Sequence, residues 1–369
     1  MMVELRAVPG SSLPADVAGA GRPAERWLRV RHETVYDYDA PVVLAHHMAH
    51  LCPRVSETQR VRAWSLTIAP APDEWATQAA DSGAEPALPP GQLSVDCWGN
   101  GRLAFSHSQV HARLRVVSSF DAGLSLGRSP DPRLGPAWEE VAQSLRYHAG
   151  AAHSEAVEFA LPSRFVPCTV PLAAFGRLAF TPGRSLAGGA LALMALVHQR
   201  FEYRPLSTSV HTRASEALAQ SRGVCQDFAH VMIGACRSLG LAARYVSGYL
   251  LTHPAPGRQR LVGTDASHAW VAVWCPEQGW LALDPTNNVP AGLDHVTLAW
   301  GRDYNDVAPL HGVIRGGGRA RPKVAVTVEP LGTSTGDDAA RRAVVSGQPA
   351  PAACAVNDDA ILKGRGVPD

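Results

Sequence analysis

Cys225, His268 and Asp284 stand in chain order, each in a setting that suits one member of a thiol catalytic triad. Cys225 lies in Arg222-Gly223-Val224-Cys225-Gln226-Asp227-Phe228-Ala229-His230, which reads as a loop entering a helix. His268 opens Ser267-His268-Ala269-Trp270-Val271-Ala272-Val273-Trp274, a strand pattern. Asp284 closes Trp280-Leu281-Ala282-Leu283-Asp284, a second strand ended by Pro285. Nucleophilic acyl transfer requires such a set: a thiol at a helix start, a histidine on a strand, and a carboxylate to orient that histidine.

The elements that must position them can be read from spacing. Val224, Phe228, Val231, Met232, Ala235 and Leu239 recur every three or four residues, giving one apolar helical stripe, and Gly240 is a stop signal. Ser221 and Gly223 are the candidate N-caps, which puts Cys225 in the first turn. There the unpaired N–H groups and the helix dipole favour a thiolate and can form half of an oxyanion hole. Cys236, mid-helix near the apolar side, reads as a core residue. For the histidine and the carboxylate, register decides. A four-residue loop at 276–279 would pair Val271 with Asp284 and turn the carboxylate to the wrong face. A five-residue loop at 275–279 pairs Trp274 with Trp280 and Trp270 with Asp284. Asp284 is then diagonal to His268 on one face. The spacing predicts this second register, or a bulge of equal effect.

The chain has 369 residues, enough for two domains. With 46% hydrophobic and 18% charged residues it reads as soluble and globular, and a net charge of +1 gives no electrostatic case for nucleic acid or anionic membrane. No apolar run reaches the ~18 residues of a membrane span, and the N-terminus lacks the pattern of a secretory signal, so a cytoplasmic location is expected. Seven scattered cysteines without a CxxC pair suggest neither a disulfide framework nor a zinc ribbon. Composition divides the chain into a flexible leader (1–25), a β-rich domain (26–120) with a long loop at 74–92, and a helical connector (121–159) with a helix over 136–149. A catalytic part (160–315) with a helix over 186–201, a short strand region (316–330) and a disordered tail (331–369) follow. His46, His47 and His50 lie in a strand-like run, which disfavours the helical pairing a metal would need, and no metal or cofactor is expected.

Several motifs together resemble one family. Gly223 to His230, Gly240 to Tyr249, Ser267 to Trp270, Gly279-Trp280, Asp284-Pro285-Thr286-Asn287 and Gly301 to Val307 resemble the bacterial transglutaminase-like proteins. The N-terminal His32 to Tyr36, Pro41-Val42, Pro53-Arg54, and Asp96 with Trp98-Gly99-Asn100 resemble the β-rich domain that precedes the core there. The resemblance covers about residues 27–315. It implies an α+β fold with a papain-like core, Cys225 as nucleophile, His268 as base and Asp284 as orienter. Tyr203 is the candidate for completing the oxyanion hole. Asp227, beside backbone or Arg244, and Trp270 are candidates for supporting the triad. An acidic calcium loop is absent from the sequence, so calcium activation is not carried over. The expected partners are a peptide or protein substrate and a primary amine. A cysteine peptidase or amidase on the same core is the close alternative, and a silent peptide-binding scaffold is the third.

Overall fold

The fold is built on one very long strand. A computed structural model describes residues 3–6, 25–73, 93–146, 148–149, 154–253 and 267–331. Its first part contains β1 (Val3–Arg6), β2 (Glu25–Ala49), β3 (Gln59–Ala69), β4 (Leu93–Val95), β5 (Gly101–His107) and β6 (His111–Ser125). Helices α1 (Trp138–Ser144), α2 (Glu155–Glu158), α3 (Val170–Arg177) and α4 (Leu186–Arg200) follow, then β7 (Glu202–Tyr203), α5 (Ala214–Gln220), β8 (Arg222–Gly223) and α6 (Cys225–Ser238). The chain continues with β9 (Ala243–Leu250), β10 (Ser267–Cys275), β11 (Gly279–Asp284), β12 (Val289–Pro290), β13 (His295–Gly301), α7 (Tyr304–Val307), β14 (Leu310–Gly316) and β15 (Ala320–Pro330).

β2 alternates buried Leu28, Val30, His32, Thr34 and Tyr36 with more exposed neighbours, the period of a half-buried strand. It shifts register between Asp37 and Val42. Its first half pairs with β6 and its second with β5 on one side. On the other side it pairs with β15 and β14. Residues 310–315, read from sequence as part of the catalytic region, thus return to the N-terminal sheet together with 320–330. Without them β2 would present a long row of unpaired N–H and C=O groups. Val3–Arg6, read as flexible leader, pairs with Ser65–Ile68 of β3 as an edge strand. The loop expected at 74–92 and the tail expected beyond Leu331 lie outside the described residues, as does the rest of the leader before Glu25.

The second sheet is antiparallel, in the order β12-β11-β10-β9-β13. Helix α6 packs against β9 and β10, and α3, α4 and α5 surround it. Sequence spacing gave α6 a single apolar stripe, but 13 of its 14 residues are buried. Its polar residues are therefore paired: Gln226 donates to the Val210 carbonyl, and the Tyr304 amide donates to His230. The buried Arg237 donates to the Phe159, Ala243 and Arg302 carbonyls and to Ser163 Oγ, tying the helix end to β9 and to the loop before α7. The two sheets meet through Tyr249, Val296 and Leu298, which join the N-terminal apolar cluster, and through a 2.8 Å hydrogen bond between Tyr249 Oη and His32. Among the described residues no helix is long and apolar enough to cross a membrane.

Candidate active site

Hairpin register brings the histidine and the carboxylate together. β10 and β11 pair Trp274 with Trp280 and Val271 with Leu283, so the next pair in register sets Trp270 opposite Asp284. This is the register expected from sequence. The turn is one pair tighter, because Cys275 also pairs with Gly279, whose φ of 75° closes it. His268 Nε2 then lies 2.7 Å from Asp284 Oδ2.

Asp284 is completely buried and fully hydrogen-bonded. Oδ2 also accepts from Asn287 Nδ2 at 2.7 Å and His295 Nε2 at 3.1 Å. Oδ1 accepts the Thr286 and Asn287 amides at 2.9 and 3.2 Å. Burial alone would raise its pKa, but His268 and His295 outweigh burial and hold it well below the usual carboxylate range. The Gly292 amide donates to His295 Nδ1, so His295 Nε2 carries the proton given to Asp284. The His268 tautomer follows in the same way. Its Nε2 proton points at the carboxylate, which leaves a lone pair on Nδ1. That Nδ1 is buried and has no hydrogen-bond partner among the described residues. These hydrogen bonds account for the close approach of His268, Asp284 and His295, whose ligand atoms lie within 4.8 Å of one another.

Cys225 is the first residue of α6, as the spacing predicts, but the cap is different. Ser221 closes α5 with φ 50°, and Gly223 is committed to β8, so neither caps α6. Instead Asp227 reaches back to accept the Val224 amide at 2.8 Å and the Thr208 hydroxyl at 2.6 Å, and makes no bond to Arg244. Gly223 makes room for this contact, since a Cβ there would stand 2.4 Å from Asp227 Oδ2. Burial pushes the Asp227 carboxyl up to about 6. Cys225 shares an apolar cluster with Ala269 and Val271 of β10. Only the thiol form of Cys225 can act as a nucleophile, so thiol chemistry here belongs to the reduced chain.

Tyr203 on β7 pairs with Gly223, two residues before Cys225, and the Arg204 amide donates to the Gly223 carbonyl at 2.8 Å. Trp270 is buried with its ring edge toward His295, centroids 5.3 Å apart. The seat for Trp270 is Gly248, where a Cβ would stand 2.5 Å from the indole and 2.0 Å from the Val296 carbonyl. His295 is the site residue that sequence reasoning missed. It lies on β13, which pairs with β9 and not with β11, so no local spacing links it to Asp284. Asn287 was quoted only within a motif, and its side chain completes the carboxylate's set of donors.

Comparison with known proteins places this arrangement. Residues 181–285 match the transglutaminase-like superfamily core, and residues 28–122 match the bacterial transglutaminase-like N-terminal region. The uncharacterized protein Rv2569c of Mycobacterium tuberculosis is 37% identical over 314 residues, covering 82% of this chain and 91% of that protein. The chain belongs to the transglutaminase-like superfamily. Protein ML0607 of Mycobacterium leprae is a further relative of this transglutaminase-like chain, 32% identical over 308 residues and 99% of its own length. A protein-glutamine gamma-glutamyltransferase of Pseudomonas aeruginosa is 36% identical over 132 residues, which cover 32% of this chain and 20% of that enzyme. Among solved structures, a Cytophaga hutchinsonii protein described as a candidate cysteine protease superposes with a TM-score of 0.62 at 19% identity, covering 85% of this chain and 93% of that one. The likeness assigns the core to the papain-like α+β fold.

Proposed function

We propose that this transglutaminase-like chain is a thiol acyltransferase acting on carboxamide or peptide carbonyls through Cys225, His268 and Asp284. The observation that carries the reading is the His268 tautomer. Its Nε2–H is held by a buried, ionised Asp284, and its Nδ1 lone pair is left unused in the interior. In the reduced chain His268 takes the Cys225 proton, and the thiolate attacks the carbonyl carbon. The α6 first-turn amides and the Tyr203 hydroxyl are assigned to the developing oxyanion. Collapse breaks the C–N bond, and ammonia or an amine leaves with the proton from the imidazolium. A primary amine, deprotonated by His268, then attacks the thioester and forms an amide, returning the thiolate. Water in place of the amine gives the acid, which is the peptidase or amidase outcome. The segment similar to a protein-glutamine gamma-glutamyltransferase favours glutamine carboxamides as donors and transfer over hydrolysis.

The test is product mass spectrometry on a glutamine-peptide library with excess primary amine under reductant, with wild type beside Cys225→Ala. Loss of ammonia with gain of the amine, only in wild type, is the expected result. Deamidation or backbone cleavage without amine gain would replace transfer by hydrolysis. Equal products from Cys225→Ala would overturn the assignment of the nucleophile.

A further inference from the structure

Three motifs of the family resemblance take no part in the triad: Pro53-Arg54, Asp96 to Asn100, and Arg244. The fold gathers them at one place. Arg244 on β9 pairs with Ala272, four residues along from the Gly248–His268 pair and on the same sheet face. At roughly 3.3 Å per residue it lies about 13 Å from the histidine. A cavity of about 470 Å³ opens there between the N-terminal domain and the core, lined by Arg54, Trp98, Glu155, Arg244, Trp280 and Trp300.

Its walls are built with care for two guanidinium groups. Arg244 stands 3.7 Å from the centre of the Trp300 ring and 4.1 Å from that of Trp280. Arg54 stands 3.4 Å from the Trp300 ring. Arg54 Nη1 donates to the Trp98 carbonyl and to Asn100 Oδ1. Asn100 in turn clamps Trp300, accepting from its amide at 3.0 Å and donating to its carbonyl at 2.7 Å. Asp96 is consumed in this scaffold, accepting the Trp98 and Asn100 amides and Asn100 Nδ2. Gly99, at φ 77°, leaves space for the Arg54 guanidinium, which a Cβ would approach to 3.0 Å.

Arg244 is only 8% exposed, yet makes no hydrogen bond or ion pair among the described residues, and its Nε is buried without a partner. Burial pushes its pKa down to about 9. A buried guanidinium stacked between rings, with no hydrogen-bonded counter-ion, is costly unless an anion completes it. The Arg54 Nε is unpartnered as well. Glu155, exposed at the mouth, faces both arginines. Its charge disfavours a dianion such as phosphate, and flat aromatic walls suit a planar group.

We propose that this interdomain cavity binds a carboxylate, the free carboxyl group of a peptide or amino-acid ligand, on Arg244 and Arg54, with the adjoining apolar part of the ligand against Trp280 and Trp300. The site stands independently of the thioester chemistry, and its test needs no turnover. N-benzoylglycine, its uncharged amide and inorganic phosphate are titrated calorimetrically into the full chain. The expected result is saturable one-site binding of the acid, with the amide at least about tenfold weaker. Arg244→Gln weakens the acid about tenfold or more. Glu155→Gln, an exposed change that leaves the fold intact, tightens it about two- to threefold by removing a repulsive charge. Equal binding of acid and amide, no saturable binding of the acid, or tighter binding of phosphate would each overturn the proposal. So would acid binding that neither Arg244→Gln nor Glu155→Gln alters.

Discussion

Replacing Asp284 by Asn tests the tautomer argument, because only one orientation of the amide fits the site. Oδ1 accepts two backbone amides, from Thr286 and Asn287. The Asn carbonyl must take that place. Its NH2 group then replaces Oδ2, facing His268 Nε2, His295 Nε2 and Asn287 Nδ2, three former donors. His268 can satisfy the NH2 only by presenting a bare Nε2, which moves its proton to Nδ1. In the proposed mechanism Nδ1 is the atom that accepts the Cys225 proton. A histidine fixed in the wrong tautomer lowers kcat by about 10³–10⁴-fold, equivalent to about 4–5 kcal/mol of lost transition-state stabilisation. Folding stability falls less, by about 2–3 kcal/mol, since bonds to a buried carboxylate are roughly twice as strong as neutral ones. The assay is the single-turnover rate of ammonia release from a reactive glutamine peptide, with a thermal melt alongside. A folded Asp284→Asn protein keeping more than about a tenth of the wild-type rate would refute the tautomer reasoning.

Two further outcomes follow from packing and titration. Gly248→Ala drives a Cβ into the Val296 carbonyl and Trp270, at the pair that carries His268, and should cost about 3 kcal/mol or more; an unchanged melting temperature would contradict the close packing. Asp227 has a folded-state pKa of about 6 against an ordinary 3.8, so its contribution to stability is full below about pH 4 and is lost as pH rises through about 6. At neutral pH the ionised, buried carboxylate costs up to about 3 kcal/mol. Asp227→Asn keeps an acceptor for the Val224 amide and carries no charge, so its melting temperature should rise relative to wild type between pH 4 and 7. A difference independent of pH would mean that the carboxyl does not titrate in the folded chain.

What was legible in the sequence was what neighbours in the chain decide. The start of α6 at Cys225 follows from three- and four-residue spacing, and the side of β11 that carries Asp284 follows from period-two alternation across a short turn. The Asp227 cap was half visible: an acid in the first turn was evident, while the Gly223 space that admits it depends on β8 pairing with β7. His295 was invisible, because β13 reaches Asp284 only after crossing to the far side of β9. The return of Leu310–Gly316 and Ala320–Pro330 to β2 is equally non-local, with partners some 260 to 300 residues away. The arginine cavity shows the same limit. Its motifs were recognised singly, and only the packing of the two sheets gives them a common purpose.

The central claim is that Cys225 and His268 form an ion pair in the reduced chain. The most direct measurement is a titration of ultraviolet thiolate absorbance under reductant, taken as wild type minus Cys225→Ala and repeated in His268→Ala. The account predicts a thiolate at Cys225 already present below about pH 7 and shifted to higher pH when His268 is removed. Titration near the ordinary thiol value of about 8.5, unchanged by His268→Ala, would contradict it.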